Sequence, residues 1–400
     1  MKMAVTGARN TMNITQERRV VDMSDQIALL DPNIAPFITI LKRIKGGGNT
    51  RRAISPKIEW LEDDYLGNVT QVATAISAAG TTTLVVDDGS IIRPYDILNI
   101  PSVGENMLVT AVSDNSLTVT RGFGGTSAAA SIAVDAEVLV IGNAQAENAL
   151  VRERRSTQEV AKFNYTQIFY TQIFRTPFEL SNTEQASKLY GGKDRAYQRR
   201  KALAEHKRDI ALSMYFGQKK QEVSADSNTV RRTMGGLVEF IRTGSNVQAF
   251  ADGESPALNL TFKNFNTYVA QPAFLHGSTE KLLIAGPVLA AAIDSWGVDK
   301  MYVKVEEDTF GVHVKRLITS YGLLNVVYDP LLAGSIYGGY GLVLDMENVR
   351  YAYLEGRDTK LHTNIQAPDQ DGIMDEYLTE CSLEVRNPDT HFLITGAYVA

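Results

Sequence analysis

One cysteine, Cys381, stands in 400 residues, which excludes an internal disulfide and argues against a secreted fold held by cross-links. No apolar run approaches the ~20 residues that a membrane-spanning helix needs. The stretch MKMAVTGARNTMNITQERR lacks the apolar core of a secretory leader, so a soluble protein of a reducing compartment, or of a particle assembled there, is expected. Histidine is sparse as well. His206, His276, His313, His362 and His391 are scattered, with no pair at the spacing of a helical metal site. G-x-S-x-G, H-E-x-x-H and Walker A motifs are missing, so no catalytic residue, cofactor or metal ligand is assigned and no enzymatic role is expected. The net charge of −6 is too mild for bulk attraction to nucleic acid or membrane.

Several tempting features have plainer readings. RGFGGT at 121–126 and GGYG at 338–341 do not fit a phosphate-binding glycine pattern and read as turns. EWLEDDY at 59–65 lacks the glycine and spacing of a calcium loop, and reads as a solvated face or an inter-subunit ion-pair partner. Glu306, Glu307 and Asp308 read as an exposed acidic run, and Cys381 in TECSLEV as a small core residue.

What is present has a clear order. Residues 1–33 are polar and mixed, and read as an arm. Ile34, Phe37, Ile38, Leu41 and Ile44 have the spacing of an amphipathic helix, which ends at the flexible Gly46-Gly47-Gly48. So short an apolar helix docks either on a neighbouring molecule or within its own subunit. Residues 50–80 look extended around Trp60. From 81 to 142, short β-type runs separated by Gly, Asp, Asn and Ser read as an inserted all-β module, with LVTAVSDNSLTVT as a hairpin with a four-residue turn.

The segment YTQIF occurs twice in succession, at 165–169 and 170–174. A five-residue shift moves every strand side chain to the opposite face. The copy puts Tyr165, Phe169 and Ile173 on one face, and Ile168, Tyr170 and Phe174 on the other. A β-segment over 163–178 that is apolar on both sides is therefore expected, and something must cover it.

A long helix follows at about 183–220, interrupted at Gly191-Gly192. Ala196, Leu203, Ile210 and Met214 form its apolar stripe, and Lys193, Arg200 and Lys207 a basic stripe seven residues apart. Between 193 and 208 there are seven basic and two acidic residues. That excess suits phosphate contacts without sequence reading, or a solvated helix paired with carboxylates. His206 is expected to meet solvent or a neighbouring carboxylate. Residues 230–345 alternate helices and strands, and long strands close the chain.

Five strings, in order, carry a resemblance: NYTQIF followed by RTPFELSNT, RRKALAEHKRDIALSMYFGQ, RRTMGGLVEFI at 231–241, VVYDP at 326–330, and LEVRNPDTHFLITG. They resemble the tailed-phage major capsid proteins of the HK97 fold, in the group related to the SU10 major head protein. The resemblance implies an α+β fold: an N-terminal arm (1–50), an extended E-loop (51–80 and 143–180) carrying a small all-β domain (81–142), a peripheral domain with a spine helix (181–229 and 346–400) and an axial domain (230–345). It implies a virion protein, assembled in the bacterial cytoplasm, that forms hexamers and pentamers of an icosahedral shell around double-stranded DNA. Its partners would be other copies, a portal, and scaffolding or decoration proteins, with no membrane. Lys193, Arg200 and Lys207 would then face DNA. Phe37, Leu41, Trp60, Tyr165, Phe169, Tyr170 and Phe174 are the expected inter-subunit contacts. The second YTQIF departs from the family pattern, and no inter-subunit cross-link is predicted. The alternative is a carbohydrate- or receptor-binding virion protein using the β module, which offers only Tyr95 and Phe123 as aromatics.

Overall fold

Each copy of YTQIF joins a different sheet in the computed structural model, which describes residues 36–43, 49–62, 67–145, 147, 165–187, 194–223, 229–244, 246–250, 259–300, 304–305, 314–334 and 337–396. The first copy lies in Tyr165–Tyr170, which pairs with Lys57–Glu62 in a two-stranded ribbon. Of the second, Tyr170 ends that first strand, and Gln172, Ile173 and Phe174 open Gln172–Ser181, antiparallel to the long strand Gly372–Val385. Thr171 makes the break between the two strands. Its N–H donates to the Pro56 carbonyl at 2.9 Å and its hydroxyl to Glu380 Oε1 at 2.8 Å. The single long strand expected here is therefore two. The last residue of each copy is buried in its own chain: Phe169 packs on Phe240 at 6.0 Å between ring centroids, and Phe174 on His206 at 6.4 Å.

The chain divides into two compact units, residues 60–167 and the remainder. The larger unit holds two main sheets. In the first, Thr50–Ala53 runs parallel to Val349–Leu354, which is antiparallel to Gly372–Val385, itself antiparallel to Gln172–Ser181. Lys360–His362 adds a short strand to the long one. The helix Asp194–Phe216 packs across Gln172–Ser181 and the long strand. The helix expected from 183 is two helices, because Ser187 is extended after Asn182–Ala186; Gly191 and Gly192 lie outside the described residues. The arm helix Pro36–Arg43 settles on its own chain, with Phe37 stacked 5.3 Å from Tyr215 and Lys42 over the Tyr351 ring. The arm before it lies outside the described residues.

The second sheet has seven strands in the order Val247–Ala249, Phe392–Thr395, Gly341–Leu344, Glu280–Ala285, Leu323–Tyr328, Val314–Ile318 and Lys304–Val305. Leu283, Leu324, Val343 and Ile394 meet Phe265 and Leu289 from the helices beside it. The last strand, Phe392–Thr395, belongs to this sheet; it does not close the first one as expected. Left-handed Asn387 starts a short turn that carries the chain across.

The two crossings between these sheets lie side by side and are bonded together. Arg386 N–H donates to Asn348 O at 2.9 Å, and Asn348 Nδ2 to Thr390 Oγ1 at 3.2 Å. His391, fully buried, accepts from the Asp345 N–H at Nδ1, so Nε2 carries the proton and donates to Arg386 O at 3.1 Å. Lys281 Nζ donates to the carbonyls of Ala273, His276 and Thr390 at 2.6, 2.8 and 2.6 Å. Burial holds its pKa down to about 8, against the opposing pull of Asp345.

The smaller unit is a β-barrel. Its six strands run Val69–Gln71, Glu137–Asn143, Asp96–Ile100, Glu105–Ser113, Ser116–Thr120 and Thr83–Val85. The outer two meet through the Val72–Val86 bridge and the bonds Ala73 N–H to Val85 O and Asp87 N–H to Gln71 O, so the ring closes. Closure removes the free edges that an isolated sheet would leave. The sheet includes Val69–Gln71, ahead of the expected boundary at 81, because Thr70 faces inward between Val69 and Gln71. The hairpin turn is two residues, not four: Ser113 pairs with Ser116, and Asp114 takes a left-handed conformation. RGFGGT is a turn, with Gly122, Gly124 and Gly125 all at positive φ. Its Arg121 makes two 2.6 Å bonds to buried Glu105. Burial alone would raise the Glu105 pKa, but Arg121 and the N–H groups of Ala129 and Gly122 outweigh it and hold it low.

Candidate functional site

The long helix Asp194–Phe216 sorts its side chains by face. Ala202, His206, Ile210 and Met214, each four residues on, point inward together with Ala211 and Tyr215. This stripe is rotated from the one expected, since Ala196 is exposed and Leu203 half-buried. His206 is a core residue, not a solvent contact. Its Nδ1 is 2.9 Å from Thr176 Oγ1 and its Nε2 2.7 Å from Thr379 Oγ1. Burial pushes its pKa down; nearby Lys42 pushes the same way and Asp209 opposes.

The basic residues of this helix serve two ends. Arg195 and Arg199 turn toward the sheet and grip Asp375, whose side chain is fully buried, at 2.7 and 3.0 Å. Burial would raise the Asp375 pKa, but Arg195, the Asn364 N–H and Arg199 hold it below the usual carboxylate range. Arg200, Lys201, Lys207 and Arg208 are exposed. Arg208 is 3.7 Å from Asp209, while Arg200 and Lys207 meet no carboxylate among the described residues. Lys193 lies outside the described residues. Two of the three predicted stripe residues therefore share one open, cationic helix face.

The predicted contact residues are mostly committed within the chain. Phe37, Leu41, Trp60, Phe169 and Phe174 are 1%, 0%, 7%, 2% and 8% exposed, so they cannot serve as open docking anchors. Intrachain partners take them instead: Tyr215 receives Phe37, and the Trp60 indole N–H donates to Glu62 at 2.8 Å. Tyr170 is half-buried, and the side chain of Tyr165 lies outside the described ones. Glu59 of the acidic run pairs with Lys57, while 63–66 and 306–308 fall outside the described residues. Cys381 is buried, with its thiol pushed up to about 12 by that burial.

Sequence reading missed the acidic row of the long strand. Asp375 faces the helix, while Glu376, Glu380 and Glu384 face the other way, each under an arginine. The signal was available, because residues four apart on a strand share a face. Among the described residues no group of His, Cys, Asp and Glu is arranged to hold a metal ion.

A family model described as the SU10 major capsid protein matches residues 4–398. The major capsid protein of Pseudomonas phage PaMx41 is 26% identical over 349 residues, covering 81% of each chain. Among solved structures, the capsid of an empty GTA particle aligns over 98% of this chain and 100% of its own, at 9% identity and a TM-score of 0.49. A Mycobacterium phage Bobi chain aligns over 97% and 98%, at 8% identity and a TM-score of 0.48.

Proposed function

The chain belongs to the SU10 major capsid protein family, and from that premise we propose that its copies close into hexamers and pentamers of an icosahedral phage head around double-stranded DNA. The observation that carries this reading is the span of the match. It covers 4–398, and so takes in the barrel, both sheets and the long helix together. The architecture we assign is of the HK97 type, in the order arm helix, extended ribbon with its inserted barrel, sheet with a long helix, and second sheet. A shell subunit needs no reacting group. It needs rigid layers and surfaces that meet other copies.

The open cationic face of the long helix supports a non-specific contact with packaged DNA. Arg200, Lys201 and Lys207 would neutralise phosphates, and such contacts weaken steeply with salt. Portal, scaffolding and decoration proteins and assembly in the host cytoplasm belong to the same proposal. Sedimentation velocity and negative-stain imaging of the purified chain, made alone and with the other head proteins of its phage, test it. Closed uniform shells, or rings of five and six, are expected. A chain that stays monomeric at high concentration under both conditions overturns it.

A further inference from the structure

The face of the first sheet turned away from the long helix has its anions beneath and its cations on top. Glu376, Glu380 and Glu384 are 6%, 4% and 0% exposed. Arg175 covers Glu376 at 2.7 Å, Arg357 covers Glu380 at 2.5 Å, and Arg51 and Arg386 cover Glu384 at 2.6 and 2.5 Å. The arginines themselves remain a third to over half exposed.

A groove of about 480 Å³ runs over this face, between Arg175, Arg357, Lys360 and His362, with Leu378 and Ile365 in its lining. Strand register puts Arg175, Leu378 and Lys360 in one cross-strand row, and Pro177, Glu376 and His362 in the next. Arg175 and Arg357 are already paired. Lys360 and His362 are exposed and meet no carboxylate among the described residues. Apolar surface adjoins them: Ile365 is 39% exposed, and Ile173, two residues along the strand from Arg175, is 51% exposed.

This mixture decides between ligand classes. A surface built for a phosphate backbone offers rows of unpaired cations. One spare lysine and an exposed imidazole beside exposed isoleucines instead match a polypeptide that carries carboxylates next to apolar side chains. We propose that this groove seats an acidic segment of a second copy of the chain, an inference that rests on the shell-forming reading. Charge complementarity selects that occupant. The chain as a whole has 46 acidic against 40 basic side chains, while this face shows the opposite balance at its surface.

The test uses shells assembled from equal parts of ¹⁵N-labelled and unlabelled full-length chain, treated with a carbodiimide. That reagent joins a lysine amine to a carboxylate in direct contact and adds no spacer. Lys360 should appear cross-linked to an acidic peptide, with mixed-isotope pairs as abundant as same-isotope pairs. Same-isotope pairs alone would place the contact within one chain and overturn the proposal, as would normal shells with no Lys360 cross-link. In parallel, the double variant Lys360→Glu with His362→Glu should raise the concentration needed for assembly by roughly tenfold, with the melting of the unassembled chain unchanged. Unchanged assembly with reduced DNA content would assign the groove to nucleic acid instead. Wild-type chain that forms no shells under any condition removes the shell-forming reading itself, and this inference with it.

Discussion

Tyr215 donates its hydroxyl to Asp329 Oδ2 at 2.5 Å, with both side chains fully buried. One belongs to the long helix, and the other immediately follows Leu323–Tyr328 of the seven-stranded sheet. The bond therefore ties the two layers of the larger unit together. Burial pushes both pKa values up, which keeps Tyr215 a phenol, while its hydroxyl and the Leu331 N–H pull Asp329 back toward the carboxylate. Tyr215→Phe keeps the ring against Phe37 and leaves Asp329 with the Leu331 N–H alone. It should lower stability by about 1–3 kcal/mol in urea unfolding at neutral pH, the cost of an under-satisfied buried acceptor.

His391 predicts a pH dependence. Burial brings its pKa down to about 4, with the Arg386 carbonyl and Asp345 opposing and Lys281 adding to the fall. The unfolded chain takes up this proton first, near pH 6.5, so stability is intact above that value and declines as the pH falls toward 4. The loss should approach roughly 3 kcal/mol at the acid end. Urea midpoints at pH 7.5 and 5 should separate clearly, and His391→Gln should narrow the gap. The remainder is expected from His206, whose pKa is lowered in the same direction.

Arg200→Glu combined with Lys207→Glu should leave folding and shell formation intact, since both side chains are exposed. Particles carrying the pair should package less DNA, read as a lower ratio of absorbance at 260 to 280 nm. Equal packaging would return this helix face to solvent.

Cys381 should ignore an alkylating reagent in the native protein and react fully in guanidinium, because only the thiolate attacks and burial keeps the thiol protonated.

Much of this fold could be read from residue pattern. The arm helix, five of the six barrel strands, and Glu280–Ala285, Val314–Ile318 and Leu323–Tyr328 of the seven-stranded sheet follow from apolar spacing, which depends only on local periodicity. What escaped depends on partners distant in sequence. His206 looked like a surface residue because its polar partners, Thr176 and Thr379, lie 30 and 173 residues away. Phe37 and Phe169 looked available for neighbours because nothing local shows that Tyr215 and Phe240 already receive them. Phe392–Thr395 continues the texture of the long strand before it, and only the left-handed turn at Asn387 sends it to another sheet. The candidate site was half legible: the basic excess of the helix was visible, but the division between Asp375 and open surface was not.

The barrel's strand pairing has a consequence for how such a chain can change. Val69 lies opposite Leu139 in an antiparallel pair, so the polypeptide arrives and departs on neighbouring strands, about 5 Å apart. A closed ring with adjacent ends is a cassette. It can be cut out and bridged by a short linker, or exchanged for another domain with the same end spacing, while the strands of the two large sheets keep every hydrogen bond they have.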